Sequence, residues 1–200
     1  MFKTVLYELR AHAPFTLMGT LTGMIILWIS LTGQLSRSTF ETLFWVLHPA
    51  HVFLSALVTT AMYRCHSQGK IITTLAIGYF GSIGIGTLSD CIIPYIGEIL
   101  LEMPNRGLHL GFIEKWWLVN PLAFAGIAFG YWRQGTKFPH AGHVLLSTWA
   151  SLFHMIMALG TDVGFFTVLM MSLFLFLAVW LPCCTSDIVF PLLFATREKK

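Results

Sequence analysis

The chain has 200 residues, 56% of them hydrophobic and 10% charged, with a formal net charge of +3. A soluble domain carries about a quarter charged residues, so this composition excludes an ordinary water-soluble fold, and the mean hydropathy of +0.75 points to a multi-pass membrane protein. The basic excess is spread over short loops rather than gathered in a patch, which argues against a nucleic-acid partner, and the four cysteines are not arranged as a secreted disulfide framework.

In chain order, residues 1–13 hold Lys3, Glu8 and Arg10 and read as an amphipathic helix lying at the membrane surface. The apolar run that follows is too long for the core of a cleavable signal and lacks a clear cleavage site. Six transmembrane helices are expected, over residues 14–33, 40–63, 71–96, 116–132, 141–160 and 164–194. Residues 98–115 are rich in charge and aromatics and read as an interfacial connector, with Trp116 and Trp117 at headgroup depth. An even number of spans places Lys3, Arg10, Arg64, Lys70, Arg133, Lys137, Arg197, Lys199 and Lys200 on one side, and Arg37, Arg106 and Lys115 on the other. The positive-inside tendency then puts both termini in the cytoplasm.

The second and fifth spans carry the same motif, H-x-x-H-V-x-L-S, at His48–Ser55 and again 92 residues later at His140–Ser147. Two further matches fall in the same order. Pro14, Gly19 and Gly23 in the first span correspond to Pro121, Gly126 and Gly130 in the fourth. Ser89, Asp90 and Pro94 in the third correspond to Ser186, Asp187 and Pro191 in the sixth. Small-xxx-small pairs are common in membrane helices, but three matches in register predict a duplication. Its halves are 14–97 and 116–200. Three spans per half is an odd number, so the expected fold is an all-α membrane protein of two inverted-topology three-helix repeats.

On a helix His48, His51 and Ser55 fall within about 60° of one another, as do His140, His143 and Ser147, with His154 continuing that stripe. Asp90 and Asp187 are the acids placed well inside spans. Each has a proline four residues on, which removes a helical hydrogen bond and is expected to free the Asp carbonyl. Ionisable groups at membrane depth are costly unless paired or functional. Imidazole with carboxylate suits zinc, manganese, iron, nickel or cobalt, and sulfur would favour zinc or copper(I). The expected ligands are His48, His51, Asp90, His140, His143 and Asp187. Ser55, Ser147, His154, Ser89, Ser186, Cys91 and Cys184 are secondary candidates. His109 is assigned no role, and Ser55 and Ser147 have the alternative of bonding carbonyls of their own helices.

These features lead to an expected permease for a divalent transition-metal cation, working in the lipid bilayer and compatible with a homodimer. The alternatives are a membrane-embedded metal-dependent hydrolase acting on a lipid, and a channel or structural protein in which the polar groups merely fix helix packing.

Overall fold

The computed structural model describes residues 2–33, 35–67, 70–133, 137–160, 163–184 and 189–194, and among these all regular structure is helical. The elements are α1 (Phe2–Thr32), α2 (Arg37–His66), α3 (Ile71–Thr87), a π turn (Leu88–Ile92), α4 (Ile93–Leu100), α5 (Gly111–Glu114), α6 (Trp116–Trp132), α7 (Lys137–Ala158), α8 (Phe165–Cys184) and α9 (Phe190–Phe194). Among the described residues, five stretches are long and apolar enough to cross a membrane: Ala13–Thr32, Arg37–His66, Ile71–Leu100, Ala141–Ala158 and Phe165–Cys183. The expected fourth span is α6. It has 17 residues, at the short limit of about 17–25 for crossing a bilayer, and is not among the five. Instead of a separate N-terminal helix, one helix runs on through Pro14.

Polarity is distributed for an apolar solvent. Trp28, Ile72, Phe80 and Phe165 are exposed, while His48, His51, Ser55 and Thr59 on α2 and His143, Ser147, Ser151 and His154 on α7 are buried. An apolar medium suits the outer face and offers no hydrogen bonds, so any partners of the inner groups come from the bundle itself.

α2 and α7 form its centre, packed on each other, and α2 also packs closely on α6. α1 lies against α7. The glycines of the matched small-xxx-small pairs make these contacts. A Cβ at Gly19 would lie 2.9 Å from Thr148 Oγ1, and one at Gly23 would lie 3.6 Å from Leu152. A Cβ at Gly126 would lie 2.9 Å from Ala56 Cβ and closer still to the Phe53 carbonyl; one at Gly130 would lie 3.0 Å from Thr60 and press on the Leu57 carbonyl. Thr148 and Leu152 stand 92 positions beyond Ala56 and Thr60. The glycines of α1 therefore seat residues of α7, and those of α6 seat residues of α2 that stand 92 positions earlier.

Between α3 and α4 the helix does not simply lose a bond at Pro94. It widens into a π turn in which Ile93 N donates to Leu88 O. A π turn inserts one residue into the helix and commonly marks a functional position; here it carries Ser89, Asp90 and Cys91, all buried. α4 ends in a Schellman arrangement, with Met103 N on Glu98 O at 3.0 Å and Glu102 N on Ile99 O at 3.1 Å. Glu102 takes the left-handed position with φ 51°. The reversal sends the connector back across the bundle, where Asn105 Nδ2 donates to Leu159 O at 2.8 Å, just past the end of α7.

Candidate metal centre

Asp90 is fully buried, and each of its carboxylate oxygens has two donors. Oδ2 lies 2.9 Å from His48 Nδ1 and 2.7 Å from His51 Nδ1. Oδ1 accepts from Ser89 Oγ at 2.7 Å and from Ser147 Oγ at 2.8 Å. A charge in an apolar bundle is tolerated when its hydrogen-bonding capacity is filled in this way. The i, i+3 spacing of His48 and His51 on α2 is what lets both rings reach one oxygen.

The hydrogen-bond network assigns the tautomers. Both Nδ1 atoms face a carboxylate oxygen, so each carries its proton there and each Nε2 is left with a lone pair. Nε2 of His48 and of His51 are buried and have no hydrogen-bond partner among the described residues. Buried polar atoms are normally satisfied; two orphaned imidazole nitrogens, each steered by a carboxylate on the far side of the ring, have the form of metal-ligating histidines.

His51 meets a second set of donors. Its ring stacks on that of His143, with centroids 5.7 Å apart and planes 14° from parallel. His51, His143 and Cys183 each offer one ligand atom, and the three atoms lie within 4.8 Å of one another, all from buried residues. With His51 Nδ1 committed to Asp90, Nε2 is the nitrogen left to a cation. Cys183 Sγ also lies 3.6 Å from Ser147 Oγ. Two imidazoles and a thiol make three convergent donors, with further positions left open. This buried group can bind a metal ion.

His48, His51, Asp90 and His143 thus fall in one cluster, contributed by α2, the π turn and α7. Ser147 and Ser89 are carboxylate donors rather than ligands, and Ser151 buttresses the turn by donating to Ser89 O at 2.9 Å. Ser55 is buried one turn beyond His51, and its Oγ has no hydrogen-bond partner among the described residues. Cys91 is buried outside the three-ligand group, whose sulfur is Cys183. Asp187 and Ser186 lie outside the described residues, and the side chains of His140 and Cys184 do too.

His154 belongs to a different cluster. Its Nδ1 lies 2.7 Å from Glu98 Oε1, and Glu98 is as buried as Asp90, not interfacial as its assignment to the 98–115 connector implied. Comparison with protein families, curated proteins and solved structures finds no match to this chain.

Proposed function

We propose that this protein is a membrane permease for a divalent transition-metal cation, with zinc the best fit to the donor set. The observation that carries the proposal is the paired arrangement at Asp90. One buried carboxylate orients two imidazoles whose outward nitrogens are unsatisfied, and one of those imidazoles stands beside His143 and Cys183. Ligands enclosed by the bundle rather than presented at its surface suit a cation held midway in its passage.

Transport is further supported by the exchange of helices between the halves. Gly19 and Gly23 seat Thr148 and Leu152 as Gly126 and Gly130 seat Ala56 and Thr60. We read this as two inverted repeats related by a two-fold axis in the membrane plane, with α6 completing six spans and both termini on the cytoplasmic side. Rocking of one repeat against the other around a shared site is the motion such a plan permits. A lipid hydrolase has less support, since a lipid carbonyl would have to reach donors that are buried on every side.

Flux measurement tests the reading. Purified protein in liposomes enclosing a zinc-sensitive dye should give zinc entry above that of empty liposomes, and His51→Ala and His143→Ala should remove at least nine-tenths of it. Equal entry with wild type, both variants and empty liposomes would refute the permease.

A further inference from the structure

Beyond the Asp90 centre lies a second cluster of carboxylates and imidazoles, where α4 turns into the connector. Glu98 accepts from His154 Nδ1 at 2.7 Å and from Gly107 N at 3.2 Å. His109 Nδ1 lies 3.3 Å from Glu114 Oε2. The His109 and His154 rings meet edge to face, with centroids 5.4 Å apart. His154 is buried and its Nε2 has no hydrogen-bond partner among the described residues. His109 and Glu114 are 27% and 40% exposed, so this cluster reaches solvent where the Asp90 centre does not.

We propose that His154 and His109 form a second, weaker cation site that takes a divalent transition-metal ion through their Nε2 atoms, with water completing the shell. Each imidazole has its Nδ1 turned to a carboxylate and its Nε2 left over, the same steering that orients His48 and His51. Glu98 and Glu114 supply the negative charge that balances a dication beside two neutral rings. Two protein nitrogens, one of them on a part-exposed connector, give a hold loose enough to release the ion, which a station on a pathway requires.

Phe44 stands between this station and the inner centre. Its ring stacks on His48 at 5.4 Å, meets His154 edge-on at 5.3 Å and lies 6.1 Å from His109. An ion leaving His154 therefore has His48 across a single phenyl ring. The role of the station in passage rests on the permease reading; its capacity to bind metal does not.

Titration of the purified full-length chain with cobalt(II) alone, followed by visible and near-ultraviolet absorption, separates the two. The expected result is two phases. The tighter carries a thiolate-to-cobalt band from Cys183, and the weaker shows ligand-field changes without one. His109→Ala should weaken the second phase at least tenfold, within the tenfold to hundredfold range found for altered metal shells, and leave the first intact, which also certifies folding. Glu98→Gln should weaken it to a similar extent. A single phase in the wild type, or a weaker phase that survives both substitutions, overturns the inference. A wild type that keeps the weaker phase but has no thiolate band overturns the inner centre and upholds the outer one.

Discussion

His51 Nδ1 and Asp90 Oδ2 lie 2.7 Å apart, and both residues are fully buried. In an apolar bundle this bond fixes which nitrogen of the ring carries the proton, and so which one faces a cation. Asp90→Asn keeps the shape and removes the charge. The amide cannot accept from four donors at once, and its own N–H₂ faces groups that also donate. Zinc affinity of the purified protein should fall by about tenfold to hundredfold, measured by competition with a chromophoric chelator. An unchanged affinity would mean that Asp90 serves packing alone.

Ser147 and Ser55 occupy matching positions in the two H-x-x-H motifs but have different surroundings. Ser147 donates to Asp90 Oδ1 at 2.8 Å, whereas Ser55 Oγ is buried without a partner among the described residues. Removing a bond to a charged group costs about 1.5–3 kcal/mol, while removing an unsatisfied hydroxyl is neutral or favourable. Ser147→Ala should therefore lower the melting temperature in detergent and Ser55→Ala should not. Equal losses would contradict the asymmetry.

Gly126 has no room for a side chain, because a Cβ would meet the Phe53 carbonyl, which is backbone and cannot rotate away. At Gly84 a Cβ meets nothing within 4 Å. Gly126→Ala should destabilise the fold by about 1–3 kcal/mol, the cost typical of overpacking. Gly84→Ala should be neutral or stabilise by up to about 1 kcal/mol through helix propensity. Unfolding of both in a denaturing detergent series provides the comparison; similar stabilities would contradict the close crossing of α6 over α2.

Metal should also protect the fold. A ligand that binds the native state alone adds about 2.7 kcal/mol at a hundred times its dissociation constant. At zinc concentrations too low to fill the weaker His154–His109 site, zinc should raise the melting temperature of the wild type, a chelator should reverse the rise, and His143→Ala should show neither effect. A zinc-induced rise that persists in His143→Ala would place the stabilising ion elsewhere.

Much of this centre could be read from residue spacing. The i, i+3 placement of His48 and His51 predicts a shared face, and an acid inside a span predicts a partner; the two meet at Asp90. The glycines of α1 and α6 were legible as matched small-xxx-small pairs, though not which helices they seat, since spacing gives a face and not its neighbour. Glu98 was missed because hydropathy alone cannot tell the last buried turn of a span from the interface. The π turn that carries Asp90 was not legible, because it depends on what surrounds Pro94. The choice of Cys183 over Cys91 depends on how α8 and the π turn are rotated about the bundle, which no single segment records. His140 and Asp187, the expected counterparts of His48 and Asp90, fall outside the described residues and side chains.

X-ray absorption at the metal edge of zinc-loaded protein, after one equivalent is bound, tests the central claim most directly. The account predicts a first shell of imidazole nitrogen at about 2.0–2.1 Å and one sulfur at about 2.3 Å, with the sulfur lost in Cys183→Ser and the nitrogen count reduced in His143→Ala. A shell of oxygen alone, or a spectrum unchanged by both substitutions, would contradict it.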